Sequence, residues 1–384
     1  MNRKQIWKRL PSSLALAVTF VLGTALWHGA FAGPSQKPQP LMLKEQGSFS
    51  VGGRVVCAPG TFDPTIPGAG SQNTGQCFRI DQLYAQYKVP PNARALPIVM
   101  IHGGAGTGRV WETTPDGREG FETIFVRRGF TVYNVDFPRR GRASIPTFIG
   151  PLGDLNGQQI IPPTTFAVGD KQAFYSWRLG ANYPDFFPNS QFPKAGLEQF
   201  LQATVPLFSD NTTVIVDSLV ALLNRIGPAI LMTHSQSGIY GWLARFQSSN
   251  VKGIITFEGG YTFPAGEVPA PLPTCAGTLL AQGTSSPPAD FMKLTEVPIL
   301  VVYGDNQPKA CPEPNLIRDG QQLRPIFGRN FVNAVNAKGG NAHFIWTPEI
   351  GIFGNTHFLY LDLNNVQIAD LVSDFMKKTG LDKN

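Results

Sequence analysis

The stretch at residues 233–238 reads THSQSG and stands between an apolar run at 229–232 and a helix-like segment at 239–246. A buried strand, a sharp turn that carries a serine and a following helix together make a nucleophile elbow. The usual elbow pattern is Gly-x-Ser-x-Gly, and here a threonine and a serine replace the two glycines around Ser235. The spacing indicates that Ser235 is a nucleophile. The alternative is an ordinary serine in a turn at the end of a strand.

Apolar runs and helical patterns alternate along most of the chain. Strands are predicted at 48–56, 82–89, 96–101, 130–137, 229–232, 251–257, 299–303 and 343–346. Helices are predicted at 120–128, 212–225, 239–247, 317–337 and 364–377. Such alternation is typical of a mostly parallel sheet with right-handed crossovers. Together with the elbow, it predicts the α/β class and an α/β-hydrolase fold, with helices on both faces of the central sheet.

Two stretches interrupt this alternation. Residues 138–210 contain nine prolines and many aromatic residues, with at most one clear helix near 196–204, and residues 261–296 are also rich in proline and glycine. Long irregular segments in a compact domain are usually lids or binding loops. We therefore expect two cap insertions over the catalytic edge of a single domain at 47–384. A solvated surface decoration is the alternative for the first segment, but its aromatic content disfavours it.

The first 32 residues have the pattern of a secretory signal peptide. Four basic residues precede a mostly apolar core at 14–26, and Ala30-Phe31-Ala32 offers small residues at the −3 and −1 positions before Gly33. A permanent anchor is the alternative, but the apolar core is shorter than the about 20 residues that a span needs. We expect residues 1–32 to be removed on export and residues 33–46 to form a loose lead-in. No stable membrane insertion is expected after that removal.

The charge of the chain excludes one class of partner. The leader holds four basic and no acidic residues, so its removal lowers the formal net charge from +6 to +2. That balance provides no electrostatic footprint for nucleic acid. With 42% hydrophobic and 15% charged residues, the composition fits a globular core rather than a disordered chain.

Four cysteines remain after the leader: Cys57, Cys77, Cys275 and Cys311. An even number of cysteines in an oxidising compartment predicts two disulfides. Sequential pairing, 57 with 77 and 275 with 311, is favoured among the three possible connectivities. A zinc site is the alternative, but the sequence has no C-x-x-C pair, and no metal is expected.

A serine nucleophile needs a neighbouring base, which is usually histidine. Position along the chain excludes three of the five histidines. His28 leaves with the leader, His102 ends a predicted strand, and His234 is too close to Ser235 along the chain to turn back to it. The other two histidines follow the elbow, as the chain order of nucleophile, acid and base requires in this fold.

His357 is the favoured base. It lies at 354–357, in a loop between the last predicted strand and the last predicted helix, where this fold delivers its base. His343 is the alternative. It lies within the apolar alternation at 341–346, where a packed strand histidine is the simpler interpretation.

Two carboxylates could orient the base. Glu258 follows the predicted strand at 251–257, and Asp305 follows the next strand at 299–303. Each could hold the imidazole in one tautomer and stabilise its cation. Most α/β-hydrolases take the acid from the later position, but the residues by themselves leave the choice open.

The tetrahedral intermediate needs backbone N–H donors for its negative charge. One is expected from Gln236, directly after the nucleophile, and the second from the glycine-rich loop at 103–106. A phosphate-binding loop is the alternative for this segment. It fails because Arg109 and Val110 occupy the positions of the Walker lysine and serine or threonine, and because Arg109 also replaces the last glycine of a dinucleotide motif. No cofactor is expected.

Several separated motifs occur together. They are IHGG at 101–104, WETTPDGR at 111–118, THSQ at 233–236, GNTHF at 354–358 and DLNN at 362–365. With these motifs, the chain from about residue 48 to its C-terminus resembles the esterase-713-like group of bacterial α/β-hydrolases.

The resemblance implies a bacterial serine carboxylesterase with an unusually early acid, and the leader at 1–32 predicts that it is exported, periplasmic or extracellular. The position of the acid in that group corresponds to Glu258 in this sequence. The resemblance therefore implies a triad of Ser235, His357 and Glu258. The oxyanion donors map to Gln236 and to a residue of the His-Gly-Gly loop, with Ala105 favoured and Gly104 the alternative. An Ala-Gly pair at 105–106 replaces the cysteines of the group.

The expected substrate is a small-molecule or lipid-like ester, and the oligomeric state is left open, with a homodimer among the alternatives. Two other functions fit the same chain. An acyltransferase or a lactonase would use the same triad, and a non-catalytic binding protein would keep only the fold.

Overall fold

The computed structural model describes residues 40–68, 73–144, 154–155, 158–159, 165–208, 212–308 and 311–384. The predicted signal peptide at 1–32 lies outside these ranges, as does the lead-in up to residue 39 and part of the predicted insertion at 138–210. All of the described residues belong to the unit Pro40–Asn384.

An eight-stranded sheet forms the centre of the fold. Its strands are β1 (Glu45–Cys57), β2 (Cys77–Val89), β3 (Ile98–Ile101), β4 (Val132–Asp136), β5 (Ala229–His234), β6 (Val251–Phe257), β7 (Pro298–Tyr303) and β8 (Asn341–Trp346). They lie in the order β1-β2-β4-β3-β5-β6-β7-β8. Strands β3 to β8 are parallel, and β1 and β2 are antiparallel at one edge. The mostly parallel sheet is thus confirmed.

Nine α-helices connect or flank the strands within the described ranges. They are α1 (Arg109–Glu112), α2 (Phe121–Arg127), α3 (Asp170–Ser176), α4 (Leu197–Leu201), α5 (Thr212–Ile226), α6 (Ser237–Gln247), α7 (Pro288–Met292), α8 (Arg324–Ala337) and α9 (Asn365–Lys378). Short 3₁₀ turns lie at Gly141–Ala143, Lys194–Gly196, Lys293–Glu296, Gln321–Leu323 and Thr347–Ile350. Two-residue or three-residue strands pair as Asp154–Leu155 with Gln158–Gln159, Thr165–Phe166 with Leu207–Phe208, Thr262–Pro264 with Thr284–Ser286, and Leu272–Pro273 with Leu279–Leu280.

Helices cover both faces of the sheet because successive strand residues point in opposite directions. In β7, Leu300 and Val302 belong to a core with α2 and α9, whereas Ile299 and Val301 belong to a core with α5, α6 and α8. All four side chains are fully buried. A parallel strand that is buried on both faces needs apolar residues at every position, which is why these strands stand out as continuous apolar runs.

The β1–β2 ribbon is longer than the sequence predicted. β2 pairs with β4 only over 84–88, so its first residues continue past Asp136, where β4 ends. The other parallel strands end on the same side, so the free end of the ribbon projects beyond the carboxyl edge of the sheet. A disulfide between Cys57 and Cys77 closes that end, where the two residues are the last pair of the register. The second disulfide joins Cys275 to Cys311, so both have the predicted sequential pairing.

Two helix predictions need correction. The helix predicted from residue 317 begins at Arg324, because Gly320 has a left-handed φ of 87° that an α-helix cannot contain, and Pro325 stands in the first turn. The helix α3 in the first insertion was not predicted, since its seven residues are too few to show a periodic pattern. The predicted helix near 196–204 is present as α4.

The described part of the first insertion is packed, not solvated. Trp177 and Phe200 are buried and form edge-to-face contacts with each other and with Phe358, with ring centroids 5.0–5.2 Å apart. Phe358 follows His357 along the chain, so the insertion packs directly against the loop that carries the predicted base.

Candidate active site

Ser235 lies on a strained turn between β5 and α6. Its φ is 52°, which a non-glycine residue rarely adopts. Two backbone hydrogen bonds hold the turn: the Ser235 N–H donates to the Phe257 carbonyl at 2.9 Å, and the Gly238 N–H donates to the Ser235 carbonyl at 3.0 Å. The Ser235 side chain is partly exposed, and its hydroxyl makes no hydrogen bond to another described residue. A strand, a strained serine and a helix therefore form the elbow geometry that the sequence predicted.

The structure explains the relaxed elbow motif. Ser237, which replaces a glycine, is fully buried, and its hydroxyl accepts from the His234 N–H at 2.8 Å and donates to the Ile101 carbonyl at 3.0 Å. The close backbone approach falls one position later. A Cβ atom on Gly238 would lie 2.6 Å from the Gly259 Cα, so glycine is required there.

His357 is held from three directions. Its ring Nδ1 lies 2.6 Å from Oε2 of Glu258. Its backbone N–H donates to the Trp177 carbonyl at 3.1 Å, and its carbonyl accepts from Nε2 of His234 at 2.9 Å. The His234 and His357 ring centroids are 4.6 Å apart, so the base lies beside the residue that precedes Ser235.

Glu258 is buried at the end of β6, with a φ of 51°. Besides His357, its carboxylate accepts hydrogen bonds from the Gly304 N–H at 2.8 Å and from both terminal nitrogens of Arg178. Burial raises the pKa of this carboxyl, but the Arg178 guanidinium and His357 outweigh that effect and lower the pKa to about 2. Glu258 is therefore ionised at neutral pH and placed to accept the Nδ1 proton of His357.

Asp305, the other candidate acid, has different partners. Its Oδ2 accepts from the Gly354 N–H at 2.8 Å and from Nδ2 of Asn189 at 3.2 Å. Its own N–H donates to the Asn355 carbonyl at 2.8 Å. Asp305 thus binds the backbone of the loop that leads to His357, while Glu258 binds the ring.

His343 lies away from this cluster, and its expected packing is wrong. Its side chain is exposed, because β8 is the edge strand, and Nε2 lies 2.8 Å from Oδ1 of Asn341. Within β8, Ala342 is buried and residues 344–346 are partly buried, but His343 is exposed, with the Phe375 ring centroid 5.5 Å from its own.

The glycine-rich loop after β3 lies against the elbow. A Cβ on Gly103 would be 3.1 Å from the Ser235 Cβ, and one on Gly104 would be 3.4 Å from Oε1 of Gln236. Ala105 is buried with a left-handed φ of 55°. Within the described ranges, the N–H groups of Gly104 and Ala105 donate to no other residue. Both expected sources of oxyanion donors, this loop and Gln236, therefore adjoin Ser235.

Two further histidines near the site are neutral. Burial lowers the pKa of His102 to about 4, where its Nδ1 donates to the Gly103 carbonyl and its Nε2 accepts from the Phe137 N–H. Burial, followed by the His357 ring, holds the pKa of His234 well below its usual range. Both rings are structural in this arrangement, since each one binds a backbone group next to the predicted machinery.

Two of the sequence motifs meet behind the His357 loop. The guanidinium of Arg118 donates to the carbonyls of Leu361, Asp362 and Leu363, and the Trp111 ring stacks on Tyr360 with centroids 4.0 Å apart. The WETTPDGR segment thus supports the DLNN segment.

The DLNN segment in turn braces the loop itself. The Asp362 carboxylate accepts from the Thr356 N–H at 2.8 Å, from the Thr356 hydroxyl at 2.9 Å and from Nδ2 of Asn355 at 3.0 Å. These contacts fix the two residues that precede His357.

Arg178 is the site residue that the sequence did not reveal. It is 2% exposed and follows α3 in the first insertion. Its Nε donates to the Asp305 carbonyl at 2.9 Å, while its two terminal nitrogens bind Glu258. No sequence motif surrounds Arg178. The one signal in the sequence was a basic residue within a segment rich in aromatic residues.

The described ranges contain neither a candidate metal cluster nor a candidate membrane span. No group of three or more histidine, cysteine, aspartate or glutamate side chains there could hold a metal ion. None of the described helices is long and apolar enough to cross a membrane.

Comparison with known proteins identifies relatives. No protein-family model matches the chain. It is 26% identical over 330 residues to a probable secreted lipase, phiG, of a fungal species, covering 77% of this chain and 86% of the relative. It is also 31% identical to a protein whose structure is described as the atomic-resolution structure of a novel bacterial esterase, with a TM-score of 0.70. That match covers 90% of this chain and 99% of the other. The chain therefore belongs to the α/β-hydrolase family of esterases, enzymes that hydrolyse carboxylic esters.

Proposed function

We propose that the chain is an exported serine esterase in which Ser235 is the nucleophile, His357 the general base and Glu258 the acid that orients it. The observation that carries the proposal is the 2.6 Å contact between His357 Nδ1 and Glu258 Oε2, next to a strained and partly exposed serine. The ionised carboxylate favours the tautomer with hydrogen on Nδ1, which leaves Nε2 free to accept a proton.

The reaction follows from these roles. Ser235 Oγ attacks the ester carbonyl carbon while His357 Nε2 takes the hydroxyl proton. The tetrahedral intermediate then collapses, the C–O bond to the alcohol breaks, and His357 gives its proton to the leaving alkoxide. Water repeats the sequence on the acyl-enzyme, releasing the carboxylic acid and restoring Ser235.

The oxyanion of each intermediate would be bound by the backbone N–H groups of Gln236 and Ala105. The position of Gly104 against the Gln236 side chain supports this pairing, as does the left-handed turn at Ala105. Preorganised donors of this kind are each worth about 10²–10³-fold in turnover. Gly104 is the alternative second donor.

Hydrolysis of a panel of p-nitrophenyl and glycerol esters by the mature chain tests the function. Ser235→Ala is expected to abolish turnover and labelling by a fluorophosphonate while the fold is retained, because the hydroxyl is partly exposed and makes no hydrogen bond to another described residue. Ser218→Ala is the matched control, because Ser218 is a buried serine on α5. This variant should keep both ester turnover and fluorophosphonate labelling. Substantial turnover by folded Ser235→Ala would refute the mechanism.

The same experiment separates the alternatives. A non-catalytic binding protein would ignore the fluorophosphonate. An acyltransferase would form ester in the presence of a second alcohol faster than it releases acid, and a lactonase would prefer cyclic esters in the panel. The favoured substrate class is a small-molecule or lipid-like ester.

Export and domain organisation complete the proposal. The two disulfides and the naming of a relative as a secreted lipase support an exported protein. In this proposal the protein is periplasmic or extracellular in a bacterium, residues 1–32 are removed, and residues 47–384 form one catalytic domain with cap insertions. Intact-mass measurement of the exported protein should place Gly33 at the N-terminus. A retained leader would instead indicate an anchored form.

A further inference from the structure

We propose that Arg178 is a positioning residue for catalysis and that the first insertion, through its residues 177 and 178, is an integral part of the catalytic centre. The inference rests on the proposed function, because it assigns a role to a residue that acts through the Glu258–His357 pair.

The geometry is the first argument. All three nitrogens of the Arg178 guanidinium are used: Nη1 donates to Glu258 Oε2 at 2.8 Å, Nη2 donates to Glu258 Oε1, and Nε donates to the Asp305 carbonyl at 2.9 Å. A two-point Arg–carboxylate contact fixes orientation as well as charge. Because Gly304 and His357 bind the same carboxylate, its acceptor positions are filled and the Glu258 side chain has one orientation.

The backbone beside Arg178 reinforces this arrangement. The Trp177 carbonyl accepts the His357 N–H at 3.1 Å. Two consecutive residues of the insertion therefore contact the base and the acid at the same time. Arg178 itself has a left-handed φ of 59°, a costly conformation for a residue with a long side chain. A segment that merely covered the site would not need these contacts.

Electrostatics supply the second argument. A carboxylate buried at the end of β6 would favour its neutral form, and a neutral acid could not stabilise the His357 cation. The cation of Arg178 offsets that burial and keeps Glu258 ionised. The ionisable groups that interact with Glu258 or Arg178 from the surrounding elements are His234, Tyr261, Tyr303, Arg318, His357, Tyr360 and Asp362. Arg318 is the permanent cation among them, and it pairs with Glu313, whereas Arg178 is bonded to Glu258 itself.

The test is the pH dependence of kcat/KM in three folded variants. In Arg178→Met, Glu258 loses its cation and ionises only at higher pH, so the acid limb should move to higher pH and the plateau should fall by about 10²-fold, less than the about 10⁴-fold that follows loss of a triad acid. Arg178→Lys keeps the charge but cannot reach Asp305 and both oxygens of Glu258. Its acid limb should stay in place while its plateau falls about tenfold.

A double variant shows whether Arg178 acts through Glu258. Adding Arg178→Met to Glu258→Gln should lower turnover no further than Glu258→Gln does alone, because the residue it positions is already lost. This variant also leaves no buried charge without a partner, so it should fold even if Arg178→Met does not. In that case Arg178→Lys and the double variant decide the question.

Arg245→Met is the matched control. Arg245 is also buried and bonds through three nitrogens, to Lys293, Ser248 and Glu296, but it lies at the opposite end of α6 from Ser235. Its loss should lower stability and leave the pH profile unchanged.

The outcomes are distinct. The positioning role would be overturned if folded Arg178→Met kept both the plateau and the acid limb of the wild type. It would also be overturned if Arg178→Lys kept the wild-type plateau. A further large loss in the double variant would overturn it as well. Wild-type protein without esterase activity or fluorophosphonate labelling would instead contradict the proposed function itself.

Discussion

The Oδ2 atom of Asp305 lies 2.8 Å from the amide nitrogen of Gly354 and so ties the end of β7 to the loop that carries His357. Glu258, at the end of the neighbouring strand β6, binds the His357 ring. Two adjacent strands thus each contribute one carboxylate, with one holding the loop and the other holding the imidazole. Because the two carboxylates bind different parts of the site, removing the charge of each one should lower kcat by a different factor.

Glu258→Gln is expected to reduce kcat by up to about 10⁴-fold, the loss seen when a triad acid becomes an amide. The reason is that the amide cannot stabilise the His357 cation and can present a donor to Nδ1. Asp305→Asn should cost less than about tenfold, because its remaining carbonyl oxygen can still accept from the Gly354 N–H. Steady-state kinetics on one ester at pH 8 measures both. The reverse order of effects would make Asp305 the acid.

His357→Ala should abolish turnover nearly as completely as Ser235→Ala. His343→Ala is its control, and here the structure changes the expectation. Because the His343 side chain is exposed on an edge strand, its removal should change the free energy of unfolding by no more than about 0.5 kcal/mol and leave kcat unaltered. Ester kinetics and urea unfolding test the pair. If His343→Ala lost activity and His357→Ala did not, His343 in β8 would be the base.

The parts of the fold that the sequence revealed are those with a strong periodic signal. The prediction for β6 at 251–257 matches its observed bounds, because the strand is buried at every position except Lys252 and carries the branched and aromatic residues that such strands favour. The β1–β2 ribbon extends further than predicted, because most of its residues near the disulfide are exposed and give little apolar signal: Val56 is buried, whereas Val55 and Cys57 are exposed. The start of α8 depended on the backbone conformation of Gly320, which composition does not specify.

The residues of the candidate site also differ in how well the sequence predicts them. Ser235 and His357 could be located from local motifs, since a turn and a loop at strand ends have recognisable residues. Glu258 could be chosen over Asp305 only through family resemblance, because both follow strands in similar sequences. Arg178 could not be found at all, since its bond to Glu258 joins residues 80 positions apart, and burial is the only property that makes an arginine in that segment unusual.

The disulfides predict no free thiol in the native protein. Labelling with a maleimide under denaturing, non-reducing conditions should modify none of the four cysteines, and labelling after reduction should modify all four. The variant Cys57→Ser/Cys77→Ser should lose about 3 kcal/mol of stability, since the bond closes a loop of 20 residues. Cys275→Ser/Cys311→Ser is the comparison and should lose slightly more, because its loop spans 36 residues. Labelling of the non-reduced protein would contradict the pairing.

Asp362 predicts a pH dependence of stability with a definite sign. Burial raises its pKa to about 7, against an ordinary value of 3.8, although hydrogen bonds from Thr356 and Asn355 act in the opposite direction. A raised folded-state pKa means that the folded protein binds a proton which the unfolded chain has lost. The contribution of Asp362 to stability is therefore fully present below about pH 4 and is lost as the pH rises to about 7.

The comparison of wild type with Asp362→Asn isolates this effect, because all other ionisable groups are common to the two proteins. The free energy of unfolding of the wild type, relative to the variant, should fall by roughly 2.6 kcal/mol between pH 5 and pH 8. Urea unfolding at the two pH values measures it, and Asp370→Asn on the exposed side of α9 serves as the solvent-exposed control. An unchanged difference would mean that the three hydrogen bonds from Thr356 and Asn355 outweigh burial and keep Asp362 ionised in the folded state. A difference that grows with pH would mean that they lower its pKa below that of the unfolded chain.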